Sequence, residues 1–327
     1  MKNTKLISLI LFVAMFSITT SCSDFLDVNT DPNNPTKVSE PLLLTGILAN
    51  FSFEVIGGYP VRVTNTWIKQ TTYNAVLPHY DNYQVTENDV NNLWTFYAYP
   101  QIMQNCKVLI AKAEESNALN YSAIAKIIWA WNMSIVTDLY GNAPFSEALR
   151  ADEFPKPKYD PQESIYEGLQ ALLDGAISDI DETDKNLTIT PAADDFIFNG
   201  NMAKWRKLAF TLKARFHLRL TYSPNHTATA QAQLALDAIA NGMKILTDDA
   251  KYPYLKDPGQ ENPWFQYTID GKWNNDTQIS NYYVTMLNTL GDPRIHAQAA
   301  LVNGVYAGHE NGTAAEADLS AIGPFYS

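Results

Sequence analysis

Trp67, Gln70, Tyr73, Asn74, Tyr80, Asp81, Asn82 and Tyr83 crowd one stretch of this 327-residue chain. Trp264, Gln266, Tyr267, Trp273, Asn274, Asn275 and Asp276 crowd another. An aromatic ring offers a flat apolar face, and a neighbouring carboxamide or carboxylate offers hydrogen bonds at its edge. Together they suit a ligand with one C–H-rich face and a rim of hydroxyls, such as a pyranose ring. The same aromatics can instead pin long loops onto a folded body, because most Trp and Tyr are largely buried. The candidates for ligand contact are therefore Trp67, Tyr73, Tyr80, Tyr83, Trp264, Tyr267 and Trp273, and at least one of them is expected to serve.

A second piece of chemistry sits at the N-terminus. Lys2 and Lys5 precede a largely apolar run of 13 residues, Leu6 to Ile18, and the small residues Thr19, Thr20 and Ser21 lead to Cys22. This is the order of a secretory signal with a cysteine at the cleavage point. The run is shorter than the roughly 20 residues that a spanning helix needs. The expectation is removal of residues 1–21 and acylation of Cys22, with acyl chains anchoring at about 0.8 kcal/mol per buried CH₂. Residues 22–41, rich in Asp, Asn, Pro and Thr, then read as a lipidated tether, and 42–327 as one folded domain.

Enzyme chemistry finds little footing. There is no Gly-x-Ser-x-Gly elbow, no His-Glu-x-x-His and no phosphate-cradling glycine loop. The five histidines, at 79, 217, 226, 296 and 309, lack metal-ligand spacing. The acidic pairs Glu114-Glu115, Asp194-Asp195 and Asp248-Asp249 read as solvated faces, since a glycosidase needs two carboxyls facing each other across a cleft. An Asn/Asp run such as 274–276 has the oxygens for calcium but not the spacing of a known loop. No cofactor and no metal are expected, and Cys106, within an apolar helical segment, reads as an inert buried thiol.

Charge narrows the partners. The chain carries a formal net charge of −12, and without residues 1–21 the remainder has 21 basic and 35 acidic residues. Nucleic acid is excluded as a partner, because phosphate binding needs a basic face. A protein lying on anionic lipid through its own surface is disfavoured for the same reason.

The elements that must position these residues are helical. Leu42 to Ile56 reads as a buried helix, and Asn88 to Ser116 as one helix or two, kinked or split at Pro100. Ile124, Ile128, Trp131 and Ile135 recur at steps of 4, 3 and 4 and mark one buried face. Asp160, Pro161 and Glu163 form a helix start, with Asp160 as cap. Asn201 to Thr221 sets Trp205, Leu208, Leu212, Phe216 and Leu220 on one side. Arg206, Lys207, Lys213, Arg215 and Arg219 lie on the other; Arg215 and Arg219, four apart on one face, are candidates to pair with acidic residues of a neighbouring helix. Thr227 to Ala240 and Asn281 to Leu290 close the series. The helix starts are too irregular for a consensus 34-residue repeat but allow degenerate helix pairs. No strand-rich segment stands out; 57–87 and 248–280 read as long loops, and the fold class is mainly α.

Four motifs then combine. Cys22-Ser23-Asp24-Phe25-Leu26-Asp27, with Asn29 to Thr36 behind it, resembles the mature N-terminus of SusD/RagB nutrient-binding lipoproteins of Bacteroidetes. Asp138-Leu139-Tyr140-Gly141-Asn142-Ala143-Pro144-Phe145-Ser146-Glu147-Ala148 is similar to that family's D-x-Y-G-D-V-P-Y-S-E-A turn, with Asn142 in place of Asp. Lys204 to Arg215 resembles its K-W-x-K-F-A-N-S-L-K-x-R helix, and Asp292-Pro293-Arg294 a further element. The divergent SusD-like branch is nearest. The resemblance implies a helical fold of tetratricopeptide-like pairs. It also implies a lipid-anchored outer-membrane protein at the cell surface. Such a protein captures oligosaccharides or peptides for a SusC-like TonB-dependent transporter.

Physically, the 138–148 motif reads as a tight turn, with Asp138 bonding its backbone. The resemblance implies further helices past position 327, so the chain reads as truncated there, and reduced stability or aggregation is expected relative to an extended chain. A peptide-binding family member, a secreted glycoside hydrolase and a scaffold for a partner protein are the alternatives.

Overall fold

A computed structural model describes residues 38–74, 80–186, 189–268, 277–314 and 316–323. The signal, Cys22 and most of the tether lie outside them. Helix α1 (Glu40–Asn50) starts two residues before Leu42 and runs on as a π-helical turn, Phe51–Ile56. Leu44, Ile47, Leu48, Phe51 and Val55 are its buried residues. By length and composition Glu40–Trp67 would pass for a membrane span, yet these side chains belong to the core.

Pro100 does not split its helix. It lies inside a π-helical segment, Leu93–Met103, that passes directly into α4 (Gln104–Ser116). The Gln104 amide bonds the Tyr99 carbonyl five residues back. The wider turn tolerates a residue with no N–H whose ring would clash in an α-helix. Asn132 from the next helix donates to the Ala98 carbonyl at 3.2 Å.

A two-residue connection, Asn117-Ala118, joins α4 to α5 (Leu119–Tyr140), and such short links make antiparallel helix pairs. Helices α6 (Gln162–Asp181), α7 (Met202–Arg219) and α8 (Ala228–Ile239) follow, each packed on its predecessor. The fold is mainly α, as expected. Helix α5 departs from its one-sided reading. Its buried set includes Tyr121, Ala123, Ile124, Ala125, Ile127, Ile128, Met133 and Val136, on all sides. It is the central helix, walled by α1, α4, α6, α7 and the π-helical segment. Cys106 is fully buried against it, and burial pushes its thiol well up.

The stripe on α7 is as read: Trp205, Leu208, Leu212, Phe216 and Leu220 are buried. Its basic side pairs outward, Arg206 with Asp181 at 3.1 Å, Lys207 with Asp248 at 2.8 Å and Lys213 with Asp174 at 2.5 Å. Arg219 reaches Asp138 at 3.1 Å, and Tyr166 Oη donates to the same carboxylate at 2.5 Å. Asp138 therefore ties α5 to α6 and α7. It does not bond the following turn; Thr137 does, donating to the Gly141 carbonyl at 2.7 Å.

Asp160 likewise serves a different end than expected. Helix α6 has no side-chain cap, and its first amide bonds Asn142 Oδ1 at 3.1 Å. Asp160 instead accepts from Phe145 N at 3.0 Å and from Ser146 N and Oγ at 2.7 and 2.9 Å. Burial opposes its ionisation, but the Ser146 and Phe145 hydrogen bonds and nearby Lys158 hold it below the usual carboxylate range. A depressed pKa stabilises the fold fully above the unfolded value of about 3.9, and that stability is lost as pH falls through the folded value. Asp160→Asn should flatten the acid limb of a urea-midpoint-against-pH curve; an unchanged slope would refute this role.

The supposed long loops carry elements of their own. The first contains α2 (Tyr59–Trp67) and strand β1 (Thr71–Tyr73), with α3 (Glu87–Val90) at its end. The second contains α9 (Pro263–Thr268) and β2 (Thr277–Ile279). β1 and β2 pair antiparallel, with Thr71 opposite Ile279 and Tyr73 opposite Thr277. Behind β2, α10 (Asn281–Leu290) and α11 (Ile295–Gln298) build a small separate core of Ile279, Val284, Leu287, Ile295 and Ala299.

Candidate functional site

The β1–β2 pairing is what brings the two aromatic stretches together. A cleft of about 270 Å³ opens beside it, lined by Asn65, Gln70, Thr71, Trp264, Ile279, Tyr283, Gln298 and Ile322. Trp264 and Tyr283 are half-buried, so each keeps part of a ring open. The Trp264 backbone is fixed by Asn262 Oδ1, which accepts its N–H at 2.8 Å. Tyr283 Oη donates to Gln298 Oε1 at 2.5 Å, which sets both side chains. Ser280 N donates to the Gln70 carbonyl at 3.2 Å, extending the ladder to the cleft edge. At the rim, Tyr282 is 59% exposed, with the Lys69 ammonium 6.0 Å from its ring centroid. Two aromatic rings among three carboxamides can stack a sugar and bond its hydroxyls. The described lining residues include no carboxylate.

Of the residues singled out in the sequence, Trp264 and Gln70 line this cleft. Trp67 turns elsewhere, into an apolar cavity of about 140 Å³ with Tyr59, Val63, Leu93 and Tyr140. Its indole Nε1 is enclosed there without a partner among the described residues. Tyr83 is 59% exposed, and its hydroxyl donates to the Trp67 carbonyl at 2.9 Å. Tyr80 packs edge-on against Tyr59 and Tyr73, with ring centroids 6.4 and 5.5 Å away. Those rings hold the segment to the body, which is the pinning use. Tyr267 is only 5% exposed and lies under the Arg62 guanidinium, 4.5 Å from its ring, so it has no open face to offer. Burial pushes its phenol up to about 12, with Arg62 opposing. Trp273 and 274–276 lie outside the described residues.

Asp81 had the composition of a sugar ligand but has a different task. It is buried, and accepts from Thr72 Oγ1 at 2.6 Å, Tyr73 N at 3.0 Å, Gly312 N at 3.3 Å and Asn311 Nδ2 at 3.4 Å. His309, fully buried, closes the knot: its Nδ1 is 3.0 Å from Thr72 Oγ1, and its Nε2 donates to the Ala314 carbonyl at 3.0 Å. The knot holds β1 against residues 309–314 and so fixes one wall of the cleft.

Sequence reading missed Tyr283, Gln298 and Asn65. The available signal was Ser280, the cap of α10, which accepts from Tyr282 N at 3.1 Å and puts Tyr282 and Tyr283 on the first turn beside the second stretch. It also missed a cavity of about 530 Å³ lined by Phe53, Glu54, Phe196, Tyr252, Tyr254 and Gln260, among others. Burial raises the Glu54 carboxyl there, partly offset by a hydrogen bond from Tyr97. Glu54 is the one carboxylate among the described lining residues, where glycoside hydrolysis takes two.

Stacked helix pairs carrying an aromatic, amide-lined cleft make a helical scaffold with a pocket suited to a ligand. Residues 32–325 match the SusD-like family model described as starch-binding, associating with outer membrane, and the chain belongs to that family.

The fold is that of solved relatives. A SusD/RagB family protein from Bacteroides thetaiotaomicron superposes with a TM-score of 0.76 at 21% identity, over 89% of this chain and 63% of that one. A chitin-binding SusD homolog from Flavobacterium johnsoniae gives 0.70 at 21% identity, over 86% and 61%. A SusD homolog from Bacteroides fragilis gives 0.68 at 20% identity, over 89% and 63%. The chain thus spans less than two thirds of the length of these relatives. No curated protein matches the sequence.

Proposed function

We propose that this protein captures oligosaccharides at the outer-membrane surface, held there by lipid on Cys22, and passes them to a SusC-like TonB-dependent transporter. The observation that carries the binding role is the cleft at the β1–β2 junction, where Trp264 and Tyr283 stand among Asn65, Gln70 and Gln298. The family description as starch-binding and the chitin-binding relative both favour a glycan over a peptide. The signal-like N-terminus and Cys22 support the anchor. Trp264 is the proposed stacking platform, with Tyr282, next to Tyr283, as a further ring for a longer chain.

Titration calorimetry with chito-oligosaccharides, malto-oligosaccharides and peptides, with reducing-sugar release followed in parallel, tests the reading. Glycan binding without release is the expected result. Trp264→Ala should weaken it by about 1–3 kcal/mol, the cost of removing a binding hot spot. Wild-type affinity in that variant would move the site away from the cleft, peptide binding alone would change the ligand class, and sugar release would make the protein a hydrolase.

A further inference from the structure

At the start of α6, three side chains converge that the glycan reading does not use. Glu163 and Glu167 stand four apart on the first turns of α6, and so share one face. His226 comes from the turn that precedes α8. One ligand atom from each of the three can be chosen so that all lie within 4.8 Å of one another. His226 Nε2 is 3.0 Å from Glu163 Oε1, near enough for an ion pair. The nitrogen is nevertheless enclosed and makes no aligned hydrogen bond. As the hydrogen bonds stand, Nδ1 accepts from Gln231 and Nε2 carries the ring proton toward the carboxylates; moving that proton to Nδ1 would turn the Nε2 lone pair on them, the arrangement a cation needs.

The surroundings are built to orient that ring. Asn225 Nδ2 donates to Glu163 Oε2 at 2.7 Å, which leaves Oε1 to face His226. His226 Nδ1 lies 3.0 Å from the Gln231 carboxamide nitrogen, and the Gln231 oxygen lies 2.8 Å from His217 Nδ1. Gln231 is buried. A histidine that gives Nε2 to a metal keeps its proton on Nδ1 and needs an acceptor there. A half-turn of the Gln231 amide supplies it: the oxygen accepts from His226, and the NH₂ donates to His217. The His217–Gln231–His226 chain satisfies both arrangements with the same atoms, because the amide has one donor end and one acceptor end.

We infer that Glu163, Glu167 and His226 form a binding site for a divalent first-row transition metal such as Zn²⁺, with water completing the coordination. One imidazole with two carboxylates selects such ions over Ca²⁺ and Mg²⁺, which take oxygen ligands. Ligand bonds of about 2.0–2.2 Å require the three atoms to draw closer than they stand. Glu167, exposed on the helix, is the one free to swing in. A bound ion would clasp the start of α6 to the connection between α7 and α8.

The test uses the full-length chain without a histidine tag. Calorimetry with ZnCl₂ is expected to saturate at one ion per chain and to raise the melting temperature, since an ion bound only by the folded state stabilises it. CaCl₂ and MgCl₂ should do neither. Glu167→Gln, which removes an exposed carboxylate without disturbing a packed residue, and His226→Ala should each weaken Zn²⁺ at least tenfold. Co²⁺ should give a visible absorption band that both variants lose. His296→Ala, on α11, should bind as the parent does. No saturable Zn²⁺ binding, undiminished affinity in Glu167→Gln and His226→Ala, or loss of binding in His296→Ala would each overturn the site and leave an ordinary ion pair.

Discussion

Asp195→Ala is expected to cost the folded chain about 3–5 kcal/mol, because it strands several buried donors at once. Asp195 is 1% exposed. One carboxylate oxygen accepts from Ile197 N and Phe198 N, each at 3.1 Å. The other accepts from Gly200 N at 2.9 Å and from the Trp205 indole at 2.7 Å. The single side chain therefore wraps the 195–200 turn and bolts it to the fully buried Trp205 of α7, against which Phe198 packs edge-on at 5.1 Å. The turn has little freedom to relax: Gly200 sits at φ +77°, and a Cβ there would come within 2.1 Å of the Pro191 carbonyl. Asp195→Asn keeps one accepting oxygen and should lose roughly half as much. Urea unfolding followed by tryptophan emission reads both. A midpoint for Asp195→Ala within error of the parent would show that the turn finds other acceptors.

Asp81→Ala should cost about 2–4 kcal/mol, from the same physics applied to four donors from two segments. Here the damage should be local first. β1 and β2 are three residues each, and a ribbon so short draws its stability from what it packs on. With Asp81 gone, the amides of Tyr73 and Gly312 and the Thr72 hydroxyl lose their acceptor. Hydrogen exchange should then speed at β1, β2 and 309–312 well before α5 is affected. Because Gln70, Thr71 and Ile279 line the cleft, glycan affinity should fall with it, although Asp81 is not itself among the lining residues. Uniform acceleration across the chain, or none, would sink this reading.

Both residues show what sequence patterning can and cannot reach. Asp194-Asp195 and Asp248-Asp249 read as solvated acidic pairs, yet Asp195 and Asp248 are buried. Asp248 accepts from Lys207 Nζ at 2.8 Å and Lys244 N at 3.0 Å. A carboxylate looks the same in sequence whether it faces water or a set of N–H groups; the difference lies in turns that fold around it. The apolar stripe of α7 was legible because a helix repeats its face every 3.6 residues, and burial follows that period. The same rule undercounted α5. A central helix buries every face, and small residues such as Ala123, Ala125 and Ala130 pack there without adding to an apolar stripe.

The sequence by itself determined the mainly helical class, the helix-pair order, the buried stripe of α7 and the family. Each rests on local periodicity or on motifs that survive in linear order. The tertiary structure alone decided which aromatics share a cleft. Trp264 meets Tyr283 and Gln298, while Trp67 turns to another cavity and Tyr267 is covered by Arg62. It also decided that Asp138 joins helices and leaves its turn to Thr137, and that Glu163 and Glu167 meet His226 some sixty residues on. The physical reason is common to all of these. Contacts between segments far apart in the chain are fixed by how packed helices and a three-residue ladder align, and no spacing rule within one segment encodes that alignment.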